Sequence, residues 1–387
     1  MAQLTQWLWR QEYWLPSGFT WEDMQKTEDI RYPHPRHLLL CFPIALLLVA
    51  LRFFFERKIA IPLGKKLGLQ EKVRWKTPPN PTLEDFYTKQ RKNPQKEEVR
   101  GLAKQCDLQP RQVERWFRYR LNQDRRSVTK KFCEASFRAV YSIIFFFMAL
   151  AILYDKPWFW DVRECLDGYP QQPTQASLLG YYLMQNSYYW SLVITVSFDV
   201  KQKDIIMIII HHVVSILLTS FSYGVNFIRI GTFVMFLHDA PDVLLYTAKT
   251  FNYLKWQKTC DTLFVLFALV FLFARGIFFP YKILYNTYYY LAELHQPYFG
   301  YYFFNAFLML LYLLDVFWSC LILLMIYRFL THGKLGNDVR SDSESSEEEG
   351  VDEADQKAEQ KQKQNSTIVK ELRSRCPNEA IDTNTNL

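Results

Sequence analysis

The chain has 387 residues, half of them hydrophobic and 17% aromatic, with a formal net charge of +7. Its mean hydropathy is slightly negative, as in a soluble protein, but the apolar residues come in blocks close to the roughly 20 that a helix needs to cross a bilayer. That distribution excludes an ordinary soluble core and predicts an all-α, polytopic membrane protein. The seven cysteines show neither C-x-x-C nor paired spacing, so neither a disulfide framework nor a zinc site of that type is expected.

Residues 1–36 carry four Trp and mixed charge but no apolar h-region, so they do not read as a cleaved signal peptide. About seven membrane helices are predicted, at 37–55, 138–154, 178–198, 205–223, 227–247, 261–283 and 300–329, with six as the rival count. Residues 56–138 hold 22 Lys and Arg against 10 Asp and Glu, whereas 155–178 hold two basic and four acidic side chains. The positive-inside rule then places 1–36 in the lumen, 56–131 in the cytosol, the span-rich region 132–332 in the membrane, and the tail 333–387 in the cytosol.

Within the cytosolic segment, residues 82–126 have the pattern of a partial homeodomain. A helix over Glu97–Cys106 and a turn at Asp107–Pro110 precede a recognition-type helix containing Trp116 and Phe117. Base reading by that fold needs an Asn three residues after the Trp, and here that position is Tyr119. No nucleic-acid partner is expected, although a membrane-tethered DNA regulator stays open as an alternative. The preferred role for the module is a basic face near membrane headgroups or acyl-CoA phosphates, with Lys130 and Lys131 as candidates for those contacts. In the acidic tail, Ser341, Ser345 and Ser346 each have Glu three residues on, and with Ser343 they are the candidate phosphorylation sites.

Ionisable groups at membrane depth are functional candidates by default. They concentrate in two adjacent predicted spans, with His211 and His212 in one and His238, Asp239 and Asp242 in the next. At 1.5 Å per residue His211 lies roughly 9 Å from its helix start, while Asp239 and Asp242 lie roughly 12 and 8 Å from their helix end. The short connection Tyr223-Gly-Val-Asn makes the two helices antiparallel, which brings these groups to one depth. Histidines beside carboxylates suit general acid–base or nucleophilic catalysis, the carboxylates orienting the imidazoles. A single zinc held by two His and one Asp is the competing chemistry, and no bound metal is expected. Arg275 and Lys249 read first as side chains snorkelling to an interface, with electrostatic assistance to the chemistry as the alternative.

Asp204 to Lys249 resembles the signature of the ceramide synthases of the TLC-domain superfamily, notably at His211-His212, Phe221-Ser-Tyr, Arg229-Ile-Gly-Thr, Leu237-His-Asp and Ala248-Lys249. The resemblance extends to Trp14-Leu-Pro, the partial homeodomain, Asp155-Lys-Pro-Trp and Phe299-Gly-Tyr-Tyr. It implies an acyl-CoA-dependent N-acyltransferase of the endoplasmic reticulum that makes (dihydro)ceramide from sphinganine or sphingosine, with acyl-CoA as co-substrate, no bound cofactor, and homo- or heterodimers within the family. By resemblance His211, His212, Asp239 and Asp242 are the catalytic positions, with His238 and Arg229 beside Lys130 and Lys131 in substrate binding. The loop before the last span, about Tyr288–Tyr298, is tied to acyl-chain length, with Tyr288, Tyr289, Glu293, His295 and Pro297 as its candidates. Four features depart from the family pattern: Gly18-Phe19-Thr20 lacks the Asn of an Asn-x-Thr acceptor, Ala240-Pro241 replaces a small or Ser pair, Tyr246 stands where members commonly have Glu, and Asp315 where they commonly have His. A non-enzymatic TLC-domain lipid chaperone or transporter is the remaining alternative.

Overall fold

The computed structural model describes residue 7 and residues 9–24, 32–71, 76–124, 126–200 and 202–332. The four tail serines therefore lie outside the described residues. Among the described residues the chain is helical without strands, and they fall into two compact units, one within Met1–Val73 and Arg126–Arg340, the other within Arg74–Arg125.

The larger unit begins with α1, Cys41–Phe55, which runs on through a π turn at Glu56–Ala60. Its outward side chains include Leu46, Leu47 and Leu51, all more than half exposed. Such a surface would be unfavourable in water but is neutral against lipid tails, which are as apolar as Leu. Three helices form the smaller unit: α2 (Pro81–Lys89), α3 (Lys96–Gln105) and α4 (Pro110–Asp124). Asn80 caps α2 by accepting from the Thr82 and Leu83 amides, and Gln95 with Glu98 makes a capping box on α3. Leu83, Val99, Val113, Trp116 and Phe117 fill its core. Tyr119 there accepts a 2.7 Å hydrogen bond from Arg115 Nε.

Five more long helices complete the larger unit: α5 (Val128–Leu153), α6 (Ala176–Thr195), α7 (Ile205–Gly224), α8 (Ile228–Tyr253) and α10 (Phe299–His332), with α9 starting at Gln257–Phe271 before the last of them. Every predicted span is therefore helical. By length and composition five helices can cross a membrane: those containing α1, α5, α7, α9 and α10. The other two, α6 and α8, have the length but carry many polar side chains on the bundle side, Gln185, Asn186 and Asp239 among them.

Asn226 fixes the turn between α7 and α8. Its φ of 61° is left-handed, and its amide donates to Pro170 O at 2.7 Å and Gln172 O at 2.9 Å while accepting from Thr174 Oγ1 at 3.0 Å. The two helices consequently run antiparallel, as the short connection predicts. Beyond α9 the chain continues as π-helix, Leu272–Leu284 and Asn286–Tyr290, then as a short α-helix Leu291–Leu294. The predicted loop Tyr288–Tyr298 is thus mostly helical. Leu, Ala and Glu favour helix, and Pro297 ends it by disfavouring helical geometry just before itself.

Candidate active site

The ionisable groups converge where α7, α8, the π segment after α9 and α10 meet. Arg275, 4% exposed, donates from Nη2 to Asp242 Oδ1 at 2.8 Å and to His238 O at 2.6 Å. Its Nη1 lies 3.5 Å from Oδ1 of the fully buried Asp315. The snorkelling reading of Arg275 is therefore corrected: the guanidinium is buried between two carboxylates. π-Helical geometry widens the local turn and recurs at functional sites.

His238 Nδ1 stands 2.8 Å from Val234 O, and Nε2 stands 3.2 Å from Asp315 Oδ2. A carbonyl can only accept, so Nδ1 carries a proton and Nε2 is left facing a carboxyl oxygen. His238 is thus held between a backbone carbonyl and Asp315, and Arg275 lies between that carboxylate and Asp242.

His211 differs. Its ring is 6.1 Å from that of His238, meets Trp318 edge-on at 5.4 Å, and its Nδ1 is buried with no hydrogen-bond partner. Nδ1 of His212 is likewise unpartnered. Asp239 points elsewhere, accepting from Tyr181 Oη at 3.2 Å and from Gln185 Nε2, both on α6. Asp239 and Asp242 are therefore used by different neighbours, and neither hydrogen-bonds to the histidine pair. Among the described residues the carboxylate that reaches a histidine in this cluster is Asp315. No three His, Cys, Asp or Glu side chains among the described residues are placed to share a metal ion.

Two cavities meet at His211. One, about 670 Å³ counting its open mouth, is lined by His211, His212, Asp242, Lys249, Arg138 and Arg275. The other, about 550 Å³ on the same measure, is largely apolar and runs from His211 and His238 past Leu218 and Val234 to Ser222 and Phe227. Lys249, read as snorkelling, lines the polar cavity with Nζ 6.0 Å from the Tyr246 ring centre.

The remaining predicted positions lie outside both cavities. Lys130 Nζ donates to Phe198 O at 3.1 Å, and Lys131 is 5% exposed, so that position presents no surface cation. Arg229 is at the other end of α8 from the histidines, donating to Glu164 O at 3.5 Å with its guanidinium over Trp158. It lines a separate cavity with Lys156 and Thr174. Tyr288 and Tyr289 are more than half exposed, Glu293 and Pro297 are exposed, and His295 Nε2 is 3.1 Å from Tyr169 O.

Sequence reasoning missed a second buried charge cluster beside the polar cavity. Arg52 of α1 bonds Glu56 at 2.9 Å and Asp199 at 2.6 Å, and Arg138 of α5 bonds Asp199 at 2.8 Å and Glu134 at 3.0 Å. The Val200 amide and the Thr195 hydroxyl complete the carboxylates' partners. The available signal was Glu134 and Arg138, four apart at the start of an apolar helix, a pair too isolated in sequence to announce partners on α1 and after α6.

The fold and site define a multi-pass helical membrane protein with a polar, histidine-bearing cavity inside its bundle. Residues 131–324 match the TLC domain and residues 76–126 the Homeodomain. Ceramide synthase 4 of Bos taurus is 44% identical over 343 residues, 89% of this chain and 87% of that protein. Ceramide synthase 3 of Homo sapiens is 43% identical over 339 residues, 88% of each chain. Ceramide synthase LOH2 of Arabidopsis thaliana is 34% identical over 218 residues, 54% of this chain and 74% of that protein. The chain belongs to the ceramide synthase family.

Proposed function

We propose that the protein transfers a long-chain acyl group from acyl-CoA to the amine of sphinganine or sphingosine, forming (dihydro)ceramide and free CoA without a bound cofactor. The observation that carries this reading is the position of His211 in the wall shared by a polar cavity and an apolar one. The CoA head is too polar for the bundle and stays at the mouth of the polar cavity, near Lys249. The acyl chain enters the apolar cavity, which brings the thioester carbonyl to His211.

The imidazole has two routes. As a general base it takes the proton of the attacking amine while the C–N bond forms and the C–S bond breaks, the thiolate leaving with a proton. As a nucleophile it displaces the thiolate first and is itself displaced by the amine. A nitrogen with no partner serves either route. His212 and Asp242 line the same cavity and hold the incoming ammonium and its proton, while Asp239 positions α8 against α6. The location proposed is the endoplasmic reticulum membrane with a lumenal N-terminus and a cytosolic C-terminus, and dimers with this or other family members follow from the same kinship.

The test is mass spectrometry of products from purified protein given sphinganine and a panel of acyl-CoAs. N-acyl product from wild type that vanishes in His211→Ala supports the reading. A well-folded wild type giving no product across the panel would sink it in favour of lipid chaperoning.

A further inference from the structure

We propose that Tyr182, held between Gly231 and Ser222, is the stop that sets the longest acyl chain the apolar cavity admits. The inference rests on the acyl-CoA reading above, and begins with distance along the cavity. Ser222 lies 222 − 211 = 11 residues beyond His211 on α7, about 16 Å at 1.5 Å per residue. Gly231 lies 238 − 231 = 7 residues before His238 on α8, about 10 Å by the same rise. Both line the end of the cavity remote from the histidines, as do Tyr182, Phe227 and Phe304. Phe227 and Phe304, with ring centres 5.2 Å apart, close that end.

Tyr182 is 1% exposed, and its hydroxyl is hydrogen-bonded to Ser222 Oγ. Ser222 Oγ also reaches Thr219 O at 3.3 Å, so swinging the ring aside would strand the buried Tyr182 hydroxyl. From the other side Gly231 seats the same oxygen. A Cβ built there would stand 2.0 Å from Tyr182 Oη and 3.0 Å from Cζ. Only a residue without a side chain lets the ring lie where it does, and a side chain there forces Tyr182 to shift.

A wall fixed on both sides resists adapting to one more methylene, which is what discrimination by length requires. The wall also lies outside the predicted length-setting segment Tyr288–Tyr298, none of whose five candidates lines this cavity.

The experiment gives purified full-length protein sphinganine and an equimolar mixture of saturated acyl-CoAs of graded length, and reads the product distribution. Gly231→Ala should move it toward shorter chains and Tyr182→Phe toward longer ones, each changing the long-to-short ratio about tenfold or more. In the double variant the distribution should return toward wild type, because the 2.0 Å contact is with the hydroxyl that Tyr182→Phe removes. A merely structural role would lower total product without moving the ratio. Unchanged ratios in both single variants, or shifts in the same direction, would overturn the inference. If Gly231→Ala fails to fold, Tyr182→Phe and Ser222→Ala still decide it, since both loosen the stop and should lengthen the product. No product from wild type would instead remove the N-acylation reading, and this inference with it.

Discussion

Two buried charge clusters lie close together in the bundle, and they are built on opposite plans. Around Arg52, Glu134, Arg138 and Asp199 each carboxylate meets a guanidinium, a backbone amide or a hydroxyl. Around the cavities, the Nδ1 atoms of His211 and His212, Nε of Arg275 and one oxygen each of Asp204 and Asp315 have no hydrogen-bond partner, against Nε of Arg138 alone in the first cluster. A buried polar atom left unpaired is unfavourable by about 1–3 kcal/mol. The first cluster ties α1, α5 and the end of α6 together, and the second lines the polar cavity.

The sharpest way to break that distinction is His211→Ala. A ring whose Nδ1 has no hydrogen-bond partner adds only its packing against Trp318 and His238 to stability, whereas acid–base use of it should be worth about 10²–10⁴ in turnover. N-acyl product and thermal unfolding in detergent, measured on the same preparation, check both halves. A large stability loss with modest loss of product would place His211 with the structural cluster.

Asp199→Ala should give the converse. It strips Arg52 and Arg138 of their shared carboxylate and leaves buried positive charge, a change of about 3–5 kcal/mol in stability. Residual folded protein should keep the same preference among acyl-CoAs, read from the product distribution at low temperature. Asp315→Asn falls between the two. It keeps the shape but removes the charge facing His238 and Arg275, so about 1.5–3 kcal/mol of stability should go. Turnover should drop as well, by roughly tenfold, because Arg275 then draws Asp242 away from the cavity it lines. Loss of stability without any change in turnover would make Asp315 purely structural.

Helix positions were legible because 20-residue apolar blocks leave few alternatives in a bilayer, and the meeting of His211, His212, Asp242 and His238 followed from depth and a short turn. The partners of those groups were not legible. Which carboxylate reaches a histidine depends on rotation of α10 about its axis, and a helix as apolar as α10 gives little amphipathic signal to set it. Asp315 was therefore noticed only as a departure from a family pattern. Arg275 looked like an interfacial side chain because nothing in its neighbourhood announces the π-helix that turns it inward. Cavity walls such as Tyr182 against Gly231 are contacts between helices distant in sequence, which a periodicity reading does not reach.

Tyr246 gives the finest test, because it touches both clusters. Its ring lines the polar cavity beneath Lys249, and its hydroxyl accepts from Arg138 Nη1 at 3.4 Å. That bond is long, and Arg138 has two carboxylates besides, so Tyr246→Phe should change stability by less than about 1 kcal/mol. The hydroxyl is also a polar feature of the mouth through which an acyl-CoA head would be held. The expected result is a two- to threefold rise in KM for acyl-CoA with kcat unchanged, about 0.5 kcal/mol of uniform binding. Steady-state kinetics at saturating sphinganine read it directly. If unfolding shifts and KM does not, Tyr246 belongs to the paired cluster, and the cavity's boundary lies one helical turn nearer His211 than its lining residues indicate.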